Sequence, residues 1–556
     1  MNLIKAASMV LVWILCSTAL AGDRFPGATW TQYATPEEAG FSADKLQEAR
    51  EYWESTESAA AMVVLDGAVV AAWGDVDRRF LLHSARKSIM SALYGIHVDA
   101  GNIDVQKTMA QLGIDDANPR LNAEEKQAKI IDLLKARSGV YHLAAAEPSQ
   151  NPKPPRGAFK PGTHWCYNNW DFNTLCTILE QETGVKVFEE FGKRFADPLG
   201  MQDYRARDGM YLYERDKSIH PAYHIRMSAR DMARFGLLFL NKGKWNGEQI
   251  LSSGWVREST RSHSDAGDSG YGYMWWVPRA QPFARLKMFS ALGVGRQSID
   301  VLPGADMVFV LRTNTYDHDE VTEQQRYELL DLILAAKTSR PKRNPELVPL
   351  PPSPKTLAPV ELKQEQKGQL IAEPTVASSG KIVLDDGDLV FESPSGKFGL
   401  IPLADCRFVV EDTYDELFFE KGADGSIIRI ITENNLNHEG YGLLGAGKVD
   451  EAIEAFKKVV EYYPDSANAY DSLGEAYAAK GDIDLAISNY RESLKRDPGN
   501  TGAEGQLELL ELRKNPVEVA RTTLGLYAGS YGSYKILLQK GDLHLQRPGD
   551  RPRRLI

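Results

Sequence analysis

The sequence predicts an α+β chain. One large mixed domain is followed by a small β module, a pair of helical repeats and the opening half of a second β module. Three observations carry this prediction. From Trp30 to about Ala336, amphipathic helical patterns alternate with apolar strand patterns through short loops. Residues 337–365, rich in proline, then interrupt all periodicity. Beyond them, residues 436–500 repeat at a spacing of 34, with Gly440 matching Gly474 and Pro464 matching Pro498.

The bulk numbers agree with this layout. A chain of 556 residues holds roughly two to four domains. Apolar content of 43% and charged content of 25% are those of a globular protein. The formal net charge of −11, with no long basic run to offset it, argues against nucleic acid as partner.

The elements follow in order. Residues 1–21 read as a secretory signal: Lys5, the apolar run Met9 to Cys16, then Ala19-Leu20-Ala21 before Gly22. The apolar core is shorter than a spanning helix needs. Export with no further anchor makes a periplasmic or secreted location the expectation, with no membrane span after signal removal. The mature chain keeps Cys166, Cys176 and Cys406; an odd number leaves at least one thiol unpaired within the chain. No Cys/His spacing points to a metal, and no cofactor is expected.

Residues 22–336 form the large domain. Ala60–Leu65 and Ala68–Trp73 read as a hairpin turning at Asp66-Gly67. Ser228 to Leu240 is an amphipathic helix, Met307 to Leu311 a buried strand, and Val321 to Ala336 a closing helix. The sheet therefore comes from the two ends of the domain and the helices from its middle. Residues 337–365 are an extended linker, and 366–433 a small β module of short strands and Gly/Asp turns. Residues 434–515 hold the repeats and a capping helix. In 516–556, Lys535-Ile536, Leu538 and Gly541-Asp542-Leu543 match Lys381-Ile382, Leu384 and Gly387-Asp388-Leu389 at a constant offset of 154. This partial module stops where its later strands should begin, so either the chain is truncated or its last strands pair elsewhere.

One residue points to chemistry. Ser84 heads a buried-helix pattern running through Ile89, Met90, Leu93 and Ile96 to a stop at Ala100-Gly101. Lys87 lies one turn on, on the same face. A serine hydroxyl is a poor nucleophile until a base takes its proton, and a desolvated lysine can do so. Ser-x-x-Lys also occurs at Ser339–Lys342, in a Pro/Lys/Arg stretch, and at Ser378–Lys381, beside a glycine, whereas Ser84 heads the pattern of a buried helix. Tyr167-Asn168-Asn169 is the sole Tyr-x-Asn among 23 tyrosines. Tyr167 can accept or relay a proton if its phenol is acidified by a Lys87 cation; no single base is assigned between the two. Asn169 can orient Lys87 or hold a substrate carbonyl.

These stretches resemble the serine β-lactamase-related family, which includes class C β-lactamases, D,D-peptidases, D-aminopeptidases and related esterases and amide hydrolases. The resemblance spans about residues 30–336. It rests on Thr35-Pro36-Glu37-Glu38-Ala39-Gly40-Phe41, Ser84–Gly101, Leu134–Val140, Lys160-Pro161-Gly162-Thr163, Tyr167–Asn169 and Arg226–Asp231. It implies a β-lactamase/transpeptidase-like fold, with Ser84, Lys87 and Tyr167 catalytic and Asn169 in the substrate site. The repeats resemble tetratricopeptide helix pairs and imply a protein partner.

The third family motif is altered. Lys-Thr-Gly is absent, and counting back from Pro303 puts Ala291-Leu292-Gly293 in its place. Gly293 still permits close approach, and the Val294 amide with that of Ser84 would form an oxyanion hole. The cation thought to hold a substrate carboxylate is missing, and on a regular strand Arg296 would face away. An ester or amide, D-amino-acid peptides included, is therefore expected over efficient β-lactam hydrolysis. Tyr271, Tyr273, Trp275 and Trp276 are candidates for an acyl-pocket wall or for ordinary core. The rival reading is a non-catalytic receptor or peptidoglycan-binding protein with a partner-docking repeat segment.

Overall fold

The computed structural model describes residues 24–117, 119–147, 152–316 and 319–353, and most of 360–554 apart from short stretches. The expected signal (1–21) and Cys406 lie outside the described residues. The chain divides into two compact units, residues 1–358 with 395–398, and residues 359–394 with 399–556.

A ten-stranded sheet organises the first unit. Its central hairpin, Ser58–Leu65 and Ala68–Gly74, turns at Asp66 and Gly67, which both take positive φ (45° and 69°), the geometry a tight two-residue turn demands. Met307–Thr313 pairs antiparallel with Ser58–Leu65 in the register Phe309↔Val63. Beyond it follow Ser298–Leu302, Phe289–Leu292, Trp276–Pro278, Ser269–Tyr271 and Ser264–Ala266. The sheet is thus built from the two ends of the domain sequence, as the pattern predicts.

Alternation along the central strands sorts side chains onto two cores. Met62, Val64, Val308 and Val310 face one; Ala61, Val63, Phe309 and Leu311 face the other. The helices Ala43–Glu54 and Glu323–Ala336 close the second face through Leu46, Ala49, Leu329, Leu330 and Ile333. The helices Arg86–Asp99 and Ala229–Leu240 cover the first through Ile89, Leu93, Met232, Phe235 and Leu238. Burying side chains of this size contributes about 1.5–3 kcal/mol each.

Part of the stretch expected to be an extended linker is sheet. Leu347–Pro349 pairs antiparallel with Thr31–Tyr33 at the sheet's edge. Proline cannot donate to a ladder, and an edge strand is where that loss is tolerated.

The second unit carries a meander of six strands from Lys381–Asp385 to Ile427–Ile431. Five helices follow: Glu433–Gly445, Val449–Tyr462, Ala467–Lys480, Ile483–Arg496 and Thr501–Lys514. The glycines of the repeat have a packing reason. A Cβ on Gly440 would lie 2.5 Å from the Phe456 ring, and one on Gly474 would lie 3.2 Å from the Tyr490 ring. Both rings are buried, so each repeat seats an aromatic against a bare backbone. Near the C-terminus, Lys535↔Gln546 repeats the pairing Lys381↔Glu392, so the offset of 154 seen in the sequence relates two hairpins of identical register. The last four strands pair with one another. Among the described residues no helix is long and apolar enough to cross a membrane. Cys166 and Cys176 are free thiols.

Candidate active site

The nucleophile candidate sits at a junction. Ser84 lies in a 3-10 turn, His83–Ala85, that runs straight into the helix Arg86–Asp99. The expected helix therefore begins two residues later than Ser84. His83 takes a positive φ of 48°, a sharp bend for a residue with a Cβ. That bend leaves Ser84 half-buried while Lys87 is buried at 2% exposure.

Lys87 gathers the other candidates. Its Nζ lies 3.0 Å from Ser84 Oγ and 2.8 Å from Asn169 Oδ1, and it is hydrogen-bonded with the Tyr167 hydroxyl. The Tyr167 phenol is itself hydrogen-bonded with the Ser84 side chain. The amine also rests over two rings, 4.2 Å from the Tyr167 centroid and 4.4 Å from that of Phe172.

A separate set of contacts holds Tyr167 and Asn169 in place. Asn168, not Asn169, caps the helix Asn169–Thr183: its side chain accepts from the Trp170 amide at 3.2 Å. Capping by Asn168 makes Asn169 the first residue of the helix, where its side chain is buried. The Asn169 amide donates to Ala146 O at 2.6 Å, leaving its oxygen for Lys87. Buried Asp171 accepts from the Ser138 hydroxyl and from Asn168 Nδ2, tying the Tyr167 loop to the 138–140 turn. Behind them, Trp170 Nε1 donates to Asp116 at 2.7 Å.

The third strand also arrives. Phe289–Leu292 ends just before Gly293, where a Cβ would stand 2.2 Å from Leu82 O and 3.3 Å from the Ala85 amide nitrogen. Only a residue without a side chain lets this strand approach the Ser84 turn so closely. Val294, 56% exposed, follows and opens the turn Val294–Arg296. The regular strand expected through Arg296 therefore does not exist. Gly295 and Arg296 take positive φ (70° and 64°), and the Arg296 guanidinium stands 3.9 Å from Glu323.

The four aromatics divide. Tyr271 and Trp276 flank Tyr167, with centroids at 6.3 and 5.6 Å. Trp165, which sequence reasoning missed, joins them at 5.9 Å from Tyr271 and 6.2 Å from Trp276. Trp275 instead packs on Phe239 and Phe289, and Tyr273 on Trp255 and His263, as ordinary core.

The electrostatics correct one expectation. Burial pushes the Lys87 amine well below the ordinary lysine range; the neighbouring Arg86 charge pushes the same way, and Glu147 opposes both. Burial pushes the Tyr167 phenol up to about 12, against the Ser84 hydrogen bond and the Arg86 charge. The phenol is not acidified, because a desolvated amine gives up its proton before it can act as the acidifying cation. Both shifts act against charge, favouring the uncharged amine and the uncharged phenol. Among the described residues no cluster of His, Cys, Asp or Glu is placed to hold a metal.

The beta-lactamase family model matches residues 47–332. The chain belongs to the beta-lactamase family. Membership makes it a serine hydrolase in its general class. A tetratricopeptide-repeat model matches residues 439–501. The tetratricopeptide repeat domain-containing protein PYG7, chloroplastic, of Arabidopsis thaliana is 31% identical over 77 residues, which are 14% of this chain and 26% of that protein. The chain thus spans about a quarter of the length of that curated relative. Three similar solved structures each align with slightly over half of this chain. A beta-lactamase from Mycobacterium bovis shows 18% identity over 52% of this chain and 100% of its own, with a TM-score of 0.38. A penicillin binding protein from Bacillus halodurans shows 15% identity over 52% and 99%, with a TM-score of 0.39. A penicillin-binding protein homolog from Caulobacter crescentus shows 12% identity over 53% and 99%, with a TM-score of 0.41.

Proposed function

We propose that this family member is an exported serine hydrolase that cleaves an ester or amide, D-amino-acid peptides among them, through an acyl-enzyme on Ser84. The observation that carries the reading is the reach of one buried amine, Lys87 Nζ, to the Ser84 hydroxyl, the Tyr167 phenol and the Asn169 oxygen at once. Lys87 takes the Ser84 proton as Oγ attacks the carbonyl carbon. Negative charge developing on the carbonyl oxygen meets the backbone amides of Ser84 and Val294. Tyr167 passes the proton to the leaving alcohol or amine, and water then releases the acyl group by the reverse relay. Asn169, anchored on Ala146, keeps the amine aimed.

The substrate class follows from what lines the site. Ala291 and Leu292 stand where a carboxylate-binding cation is wanted, and Tyr271 and Trp276 flank the phenol, with Trp165 packed on both. Such a lining supports a neutral acyl group over a penicillin carboxylate. The same loss of Lys-Thr favours the second reading, a receptor that keeps the fold without turnover. The repeats serve as the docking segment for a protein partner in either case.

Intact-mass analysis of the full chain after a fluorophosphonate or penicillin-type probe separates the readings. A single stoichiometric adduct that disappears in Ser84→Ala is expected; no adduct with any probe leaves the receptor. Export is tested by expression with the native N-terminus: the secreted product should begin at Gly22.

A further inference from the structure

We propose that Arg86 is a positioning residue for this reaction: a permanent, unpaired cation buried beside Lys87 that keeps the lysine amine free of its proton and ready to accept that of Ser84. The inference rests on the hydrolase reading above and extends it to a residue that contacts none of the reacting atoms.

The geometry is unusual for an arginine. Arg86 is 3% exposed, yet among the described residues no carboxylate pairs with it. One Nη donates to His83 O at 2.8 Å, while Nε and the other Nη are buried without a hydrogen-bond partner. Its guanidinium carbon stands 4.9 Å over the Tyr223 ring. A buried cation is normally paired. Here the surroundings are aromatic and neutral, so the charge is left uncompensated.

The titratable groups facing Arg86 are uncharged near pH 7. Arg86 faces Tyr223, Tyr167, Cys176, His83 and His224. Burial pushes the Tyr223 and Tyr167 phenols and the Cys176 thiol up, so all three stay protonated and uncharged. Burial and the Arg86 charge hold His83 down to about 4 and His224 to about 2, so both imidazoles are neutral near pH 7. Arg312, also buried, adds to the positive field at His83. Lys87 meets Ser84, Tyr167 and Asn169 directly, and Glu147 is the acidic group acting on it from further away. The local field is therefore positive, and Lys87 is the member that can relieve it. Burial pulls the Arg86 guanidinium down as well, but from so high an ordinary value that it keeps its proton, whereas a lysine amine titrates readily. Arginine at position 86 and lysine at 87 place the two behaviours side by side.

The test is the pH dependence of Ser84 labelling by a fluorophosphonate in the full-length chain. In that step Ser84 Oγ bonds to phosphorus, fluoride leaves, and the hydroxyl proton passes to Lys87. The rate rises with pH as the Lys87 amine loses its proton. In Arg86→Gln and Arg86→Met the midpoint of that rise should move up by about one pH unit. Labelling at the low-pH end then falls about tenfold, while the high-pH plateau changes much less. Arg86→Lys, which keeps a cation, should lie between these variants and the parent. A plateau that drops with an unmoved midpoint overturns the proposal, because that is what mere loss of packing produces. Should neither neutral variant fold by circular dichroism, the parent decides: a midpoint in the ordinary lysine range, about 10, also overturns it. No labelling of the parent at any pH is a different failure, that of the hydrolase reading itself.

Discussion

At the scale of single residues, the site is a competition over one proton. Removing the acceptor should be costly: Lys87→Met is expected to slow probe labelling of Ser84 by about 10²–10⁴-fold, the range for loss of a positioned acid–base group. Stopped-flow or intact-mass kinetics measure this directly. Gly293 gives a steric counterpart. A methyl there would stand 2.2 Å from Leu82 O, which is rigid backbone. Gly293→Ala should therefore push the strand off the Ser84 turn. Thermal melts should show a loss of about 1–3 kcal/mol, and labelling should fall further than stability alone explains. Ser84 and Lys87 stood out by residue type and spacing, whereas Tyr167 and Gly293 were singled out through the resemblance to a known family. Trp165 and Arg86 were singled out by neither. A tryptophan beside a tyrosine loop or an arginine inside a helix carries no local signal; each gains meaning only from its neighbours in space.

Helix starts and strand ends decide how the residues are aimed. The helix Asn169–Thr183 begins where it does because the Asn168 side chain caps it and its Nδ2 bridges to Asp171. Asn168→Ala should cost about 0.5–2 kcal/mol for the cap alone. Because it also loosens the Tyr167 loop, labelling of Ser84 should slow at temperatures well below the melt; comparing the melt with the labelling rate checks this. By residue type Asn168 and Asn169 are equally good caps, and only the fold shows which of them starts the helix. Likewise, the strand expected to run through Arg296 stops at Leu292. The close packing of Gly293 on Leu82 and the positive φ of Gly295 and Arg296 end it there. Pro349 shows the reverse case: a proline-rich stretch read as linker still supplies an edge strand, because an edge asks for one face of hydrogen bonds only.

For the whole molecule, pH and chain length offer two further tests. His83 and His224 are held at about 4 and about 2 in the fold, against about 6.5 in an unfolded chain. Between those values the unfolded state binds the extra protons, so stability is complete above about pH 6.5 and falls as the pH drops toward 4. Melting temperatures measured from pH 7.5 down to 4.5 should decline, and His83→Gln should flatten the decline. Because residues 1–358 make up all of the first compact unit but 395–398, and its sheet includes Leu347–Pro349, a chain ending at residue 358 should still label at Ser84. One ending at residue 336 should lose the edge strand and label poorly. Intact mass after probe treatment distinguishes the two.

By itself the sequence determined the elements, the two kinds of repeat and the reactive side chains. Periodicity, turn chemistry and residue type are local properties, and they survive without a third dimension. Only the tertiary structure brought these side chains within reach of one another and set the direction in which burial shifts Lys87 and Tyr167. That depends on burial and on charges brought together from distant parts of the chain: Arg86 and Lys87 from one helix, Tyr167 from a loop, Tyr223 and His224 from a strand. Desolvation is a property of the assembled neighbourhood, and no single stretch of sequence contains it.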